Sequence, residues 1–331
     1  MLELNAAHLL CSRYRLGQLI APPRPVAGGL IHRLYRLTTN QGDFAVKVLD
    51  PAIMRQEGIR DEFRRSEHAA GLFAAAGIPA VLAKEALGGT VQDIGALTVI
   101  AYPWCDGRVL PKSAASPHQA SQIGAILGRI HTLNLPGNSG LAASRQPMPS
   151  GDWESLVRRG HEQEIEWASA LEAALPDLFL WDRAGREAEE LLPRTQVISH
   201  CDLDQKNVLW LNNTPVLIDW ESAGPTRPYA ELMGAALDWS GQSAGPPNQA
   251  AFAAVIAGYR QEAEFPATLA LPLMRSRLAG WSDWLGANMH RSLGSAPASA
   301  EHALGTRETT ATLATMYRLA AGMETWARWC G

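Results

Sequence analysis

The chain of 331 residues is 47% hydrophobic, and its 33 acids only slightly outnumber its 29 lysines and arginines, for a net charge of −4. That is enough apolar material for two lobes around one cleft. A near-balanced charge without a basic tract excludes nucleic acid and membrane surfaces as expected partners, and no apolar run is long enough for a spanning helix. Met1-Leu2-Glu3-Leu4-Asn5 has neither the charged leader nor the apolar core of a signal peptide. Cys11, Cys105, Cys201 and Cys330 have no metal-ligand spacing. A cytoplasmic protein with reduced thiols, monomeric or weakly dimeric, is expected.

Val26 to Leu37 reads as strand, turn, strand about Gly28-Gly29, and Asn40-Gln41-Gly42-Asp43 is the next turn. Phe44-Ala45-Val46-Lys47-Val48-Leu49 is a β-rich run with one lysine among apolar neighbours. After Asp50-Pro51, the spacing of Phe63, Ala70 and Phe73 predicts a helix from about Arg60 to Ala76, stopped by Gly77-Ile78-Pro79. Glu67, or Glu62 if the register slips, would lie on this helix within reach of Lys47. Leu97 to Tyr102 predicts a strand, and Pro103-Trp104-Cys105-Asp106-Gly107 a link between lobes. Residues 1–104 thus read as a small α+β lobe. Residues 105–331 read as mainly helical, with loops at Gly137 to Gly151, Gly241 to Pro247 and Gly294 to Ala300.

One non-helical stretch carries chemistry. His200-Cys201-Asp202-Leu203-Asp204-Gln205-Lys206-Asn207 precedes a strand, Val208 to Leu211. Asn212-Asn213-Thr214-Pro215 is turn chemistry, and Val216-Leu217-Ile218 returns as a strand ending at Asp219-Trp220. A hairpin brings its ends together, so Asp219 is expected beside Asn207. An amide and a carboxylate on one face suit Mg²⁺, which takes few protein ligands and keeps its waters. Asp202 would accept a proton from an attacking hydroxyl, with His200 supporting the loop. This is the equipment of phosphoryl transfer. Lys47 would hold the phosphates of ATP or GTP, and Glu67 would hold Lys47. Gly28 and Gly29 would either cover the phosphates or form a bare hairpin turn. Tyr102 would stand behind the base, with Pro103 offering a carbonyl and Cys105 an N–H.

These residues resemble the aminoglycoside phosphotransferase and choline kinase-like superfamily, the small-molecule relatives of the protein kinases. Its usual H-G-D-x-x-x-x-N-[VI]-L and [VI]-[IL]-D-[WF] stand here as His200 to Leu209 and Leu217-Ile218-Asp219-Trp220. Glu231-Leu232 after Tyr229 resembles a further acidic feature, and Leu127-Gly128-Arg129-Ile130-His131 the family's L-x-x-L-H helix. The resemblance runs from about Gly28 to Leu232. It implies a bilobal, protein-kinase-like α+β fold with a β-rich N-terminal nucleotide-binding lobe (1–104) and a larger helical catalytic and substrate-binding lobe (105–331). It also implies a kinase acting on a hydroxyl of a small molecule. Cys201 departs from the common Gly, Asp204 from a frequent His, and Glu221 from an apolar or small residue. The absence of A-P-E argues against a protein substrate.

Every tryptophan but Trp104 lies beyond residue 150, several beside acids: Asp152-Trp153-Glu154, Glu166-Trp167, Asp238-Trp239 and Trp281-Ser282-Asp283-Trp284. Acids with aromatic walls would suit a cationic, hydroxylated acceptor such as an aminoglycoside. Asp238 and Asp283 lead as contacts, with Asp204 and Glu221 nearer the metal. A kinase for choline, homoserine or a sugar-like metabolite is the alternative. A non-catalytic nucleotide binder is disfavoured by the intact Lys47, Asp202, Asn207 and Asp219.

Overall fold

Alternating apolar residues in the first hundred positions build an antiparallel sheet. The computed structural model describes residues 2–27, 31–113, 115–133, 135, 152–297 and 299–331. Helix α1 (Leu4–Tyr14) precedes β1 (Arg24–Val26), β2 (Arg33–Thr39) and β3 (Gly42–Val48). Helices α2 (Pro51–Met54) and α3 (Ile59–Ala75) follow, then β4 (Gln92–Ile94) and β5 (Leu97–Pro103). The strands form one five-stranded sheet in the order β1-β2-β3-β5-β4. On one face, Phe44, Val46 and Val48 pack with Val99, Ala101 and the buried side of α1. The other face carries Ile100 and Tyr102, which pack with Phe63 of α3. Lys47 lies directly across from Ile100. Because side chains alternate along a strand, it therefore points to the α3 side.

By internal contacts the chain forms two compact units that interleave in sequence. The first comprises mainly Met1–Leu110 and Val197–Pro225. The second segment is tied to the first through its backbone. Strand β6 (Val197–Ser199) leads to β7 (Val208–Leu211) and β8 (Thr214–Leu217). Leu217 exchanges backbone hydrogen bonds with Pro79 and Val81, while Trp210 exchanges two with Arg108. The turn is tighter than the sequence suggests. Asn212 takes the left-handed conformation at φ 56°, and Thr214-Pro215 already belong to the returning strand, Pro215 opposite Trp210. A proline is tolerated there because Trp210 turns its own N–H and carbonyl to Arg108, so this pair needs no hydrogen bond from Pro215. A short strand, β9 (Gly224–Thr226), then pairs with β6.

The second unit is helical: α4 (Pro117–Leu133), α5 (Trp153–Glu162), α6 (Ala168–Glu190), α7 (Pro228–Trp239), α8 (Gln249–Arg260), α9 (Ala270–Gly294) and α10 (Ala300–Ala327). Helices α4 and α8 cross in near backbone contact. A Cβ on Gly124 would sit 2.0 Å from the Val255 carbonyl oxygen, and one on Gly258 2.0 Å from that of Ser121, so only glycine fits. Near this crossing, buried His131 lies 2.9 Å from Glu231 through Nε2 and 3.0 Å from the Tyr259 hydroxyl through Nδ1. The two sequence features flagged by family resemblance therefore tie α4, α7 and α8 together. Among the described residues, no helix is long and apolar enough to cross a membrane.

Candidate active site

The loop after β6 is fixed from within. His200 is fully buried. Its Nε2–H donates to the Ile218 carbonyl at 3.0 Å, and its Nδ1 accepts from the Asp202 N–H at 3.3 Å. With both ring nitrogens bound to backbone, His200 orients the loop. Its ring lies 4.6 Å from that of Trp220, which in turn stacks on Phe73 of α3 at 5.4 Å. Cys201 sits at φ 62°, where a side chain costs about 1–2 kcal/mol and glycine nothing comparable. Its thiol donates to the Gly224 carbonyl at 3.3 Å. Asp204 closes the loop by capping the turn Gln205–Asn207, its Oδ1 accepting the Lys206 N–H at 2.9 Å.

Around Asp202 the side chains converge. Asn207 Nδ2 donates to the Asp202 carboxylate and to its carbonyl, both at 2.8 Å. Lys206 Nζ lies 3.0 Å from Asp202 Oδ2 and 2.9 Å from Asp204 Oδ2. Partial burial opposes the charge on this ammonium, but the two acids outweigh it and raise the pKa. The Ile218 N–H donates to the Asn207 carbonyl at 3.0 Å, which sets Asp219 next to Asn207. Asp219 turns through φ 62°. With Asn207 Nδ2 committed to Asp202, the Asn207 Oδ1 and the Asp219 carboxylate are oxygen donors of the kind that a hard divalent cation takes.

Lys47 Nζ donates to Asp219 Oδ1 at 2.6 Å and to Glu221 Oε2 at 2.5 Å. Burial works against its charge, yet the two carboxylates hold its pKa above the ordinary value. Glu221 is pressed the other way: burial raises its pKa, but His32 and Lys47 pull it well below the usual carboxylate range. His32 Nε2 is 3.5 Å from Glu221, while its Nδ1 accepts the Asp50 N–H at 3.0 Å. The ion pair expected between Lys47 and Glu67 does not form. Glu67 takes the hydroxyl of Tyr102 instead, and burial, only partly offset by Tyr102 and Lys47, lifts its pKa to about 7. The helix register puts Glu67 on the buried side of α3 and Glu62 in its half-exposed first turn.

The sequence matches the family described as "Phosphotransferase enzyme family" over residues 23–265. The chain belongs to that family. As a phosphotransferase, it also has the fold of solved kinases. Spectinomycin phosphotransferase in complex with ADP and spectinomycin aligns at TM-score 0.70 and 15% identity, covering 94% of this chain and 96% of the other. Amicoumacin kinase with AMP-PNP, Ca²⁺ and its ligand aligns at 0.63 and 13%, covering 96% and 92%. A choline/ethanolamine kinase family protein from Mesorhizobium loti aligns at 0.58 and 16%, covering 97% and 98%. No curated protein matches the phosphotransferase by sequence.

The remaining expected residues fall as follows. Pro103 ends β5 opposite Phe44, and the Trp104 N–H is taken by the Asp43 carbonyl at 3.0 Å, with Cys105 half-buried next. Tyr102 faces Glu67 as described. Gly28 and Gly29 lie outside the described residues. Asp238 and Asp283 belong to the second unit. Asp238 lies 3.3 Å from Arg277, so its charge is already met. Asp283 is half-buried, and burial together with Asp182 raises its pKa. Most of the phosphotransferase's flagged tryptophans are core: Trp153, Trp167 and Trp239 are fully buried. Trp281 and Trp284 already carry Arg277 and Arg291 over their faces. Two residues escaped the sequence reading. Lys206 stood inside the motif, four places after Asp202, without a flag. His32 gave no signal beyond its place after the Gly28-Gly29 turn.

Proposed function

We propose that this phosphotransferase moves the terminal phosphoryl group of ATP or GTP onto a hydroxyl of a small, cationic molecule, with an aminoglycoside or other antibiotic as the leading acceptor class. The observation that carries this reading is the Asp202 carboxylate, locked by Asn207 in the same unit that joins Lys47 to Asp219. In this reading Asp202 accepts the proton of the acceptor hydroxyl, whose oxygen attacks the γ-phosphorus. His200 and Asn207 hold Asp202 in place. Lys47 meets the nucleotide phosphates, with Glu67 and Tyr102 behind it and the Pro103–Cys105 segment facing the base. Asp219 and Asn207 Oδ1 would hold Mg²⁺. That ion supplies charge neutralisation on the phosphates. Residues 1–104 would serve the nucleotide and 105–331 catalysis and the acceptor. Four cysteines in the thiol form fit a reducing, cytoplasmic setting.

The antibiotic reading draws on the likeness to spectinomycin phosphotransferase and amicoumacin kinase. A metabolic acceptor draws on the likeness to the choline/ethanolamine kinase family protein and on the arginines that already answer Asp238, Trp281 and Trp284. The deciding experiment is a nucleotide-consumption screen with Mg²⁺ across aminoglycosides, tuberactinomycin-type peptides, macrolides, choline and homoserine. Mass spectrometry of any hit locates the phosphate. An antibiotic phosphorylated in preference to every metabolic alcohol supports the leading reading, and the reverse order replaces it.

A further inference from the structure

We propose that Lys206 is a further catalytic residue, whose ammonium binds the phosphoryl group as it passes to the acceptor. This inference rests on the phosphoryl-transfer reading above.

The geometry is specific. Lys206 Nζ lies 3.0 and 3.3 Å from the two oxygens of Asp202 and 2.9 Å from Asp204. Its neighbours Gln205 and Asn207 are each 2% exposed. The Lys206 and Asp202 side chains, at 43% and 41%, are open to solvent. The ammonium therefore stands on the open side of the carboxylate, where an acceptor must arrive. A general base must come within about 3 Å of the oxygen it deprotonates. A cation touching that same carboxylate lies within one side-chain swing of whatever bonds to that oxygen.

In the transfer, the acceptor O–H proton passes to Asp202 and the oxygen's electron pair forms the new bond to the γ-phosphorus. The bond from that phosphorus to the β–γ bridging oxygen breaks, and its pair leaves on the nucleoside diphosphate. Negative charge rests on the three equatorial oxygens throughout, so a second cation beside the base stabilises the transition state. Lys47, on Asp219 and Glu221, is placed for the other end of the nucleotide phosphates.

A purely structural role fits less well. The loop backbone is already held by His200, by the Asn207 amide and by the Asp204 cap. Exposed ion pairs add little to stability. Asp204 acquires a second duty here: it keeps Lys206 extended over Asp202 and is thus a positioning residue.

The test compares full-length wild type with Lys206→Met and Lys206→Arg. Calorimetric titration measures the affinity for Mg²⁺–ADP alone and with aluminium fluoride, which mimics the phosphoryl group in flight. Wild type is expected to bind the fluoride complex more tightly than ADP. Lys206→Met should lose about 10²-fold of that gain, the scale of one lost transition-state donor. Its ADP affinity should stay unchanged and its Tm fall by no more than about 4 °C. Lys206→Arg should keep most of the gain. A methionine variant that keeps the full gain, or one whose Tm collapses, makes Lys206 a loop clamp and overturns the proposal. Failure of wild type itself to gain from fluoride sinks the phosphoryl-transfer reading and this inference together.

Discussion

Two lysines in the first unit are each gripped by two acids, yet their surroundings differ. The Lys47 side chain is 14% exposed between Asp219 and Glu221, on the covered face of the sheet. That of Lys206 is 43% exposed between Asp202 and Asp204, on a loop. A buried charge removed from water needs its counter-charges, and losing one is costly. A lysine as open to water as Lys206 is screened, and its ion pairs contribute little to stability. The first arrangement is suited to holding something in place and the second to meeting something that comes and goes.

If that contrast holds, the two clusters should fail differently. The largest effect is expected from Asp202→Ala, with turnover down by about 10²–10⁴ and nucleotide affinity nearly intact. Turnover within about a factor of two of wild type would remove Asp202 from the chemistry. Next comes the Lys47 cluster. Asp219→Ala should weaken Mg²⁺-dependent nucleotide binding more than Asn207→Ala, because a carboxylate is the better ligand for a hard cation and its loss also strips Lys47 of a partner. Titrating Mg²⁺ against both variants gives the order, and equal responses would break the assignment.

A smaller effect concerns stability. Burial raises the folded pKa of Glu67 to about 7 from an ordinary 4.5. Between those values the native state holds a proton that the unfolded chain has released. Stability therefore falls as pH rises through this window, by at most about 1.4 kcal/mol per pH unit. Glu67→Gln should flatten the decline of Tm between pH 5 and pH 8. An unchanged slope would mean that Glu67 titrates normally.

The smallest effect is expected in the second unit. Asp283→Asn should raise the KM of a cationic acceptor a few-fold and leave the nucleotide KM alone. Asp238→Asn should do less, because Arg277 already answers its charge. The reverse order would show that Arg277 releases Asp238 to the acceptor.

What the sequence made legible was local. The Lys47 strand, the α3 helix and the hairpin follow from period-two and period-three-to-four patterns bounded by Gly, Asn and Pro. The partners of Lys47 were not legible. They depend on the left-handed turn at Asp219, which swings Glu221 back toward the sheet, and no pattern in Leu217 to Trp220 encodes it. Asp204 read as an acceptor contact or a solvent-facing acid because a cap shows only in the backbone it closes. Lys206 was hidden because a tight turn aims side chains by its own geometry and not by a helical or strand period. The tryptophans misled for a simpler reason: a large ring beside an acid reads the same in sequence whether it faces solvent or, like Trp153 and Trp239, the core.

The backbone pairing of Leu217 with Pro79 and Val81 bears on how this protein is made. Lys47 and Asp219 stand 172 positions apart, so much of the chain must be synthesised between the sheet and the residues that complete the Lys47 cluster. Domains tend to fold from the N-terminus as they emerge, and distant pairings close slowly. The Pro79 carbonyl and the Val81 N–H, which lie outside the five-stranded sheet, therefore wait unmatched until Leu217 leaves the ribosome. During that interval the Lys47 ammonium also lacks both of its carboxylates, so the Lys47 cluster can assemble only after residues 219 to 221 have been made.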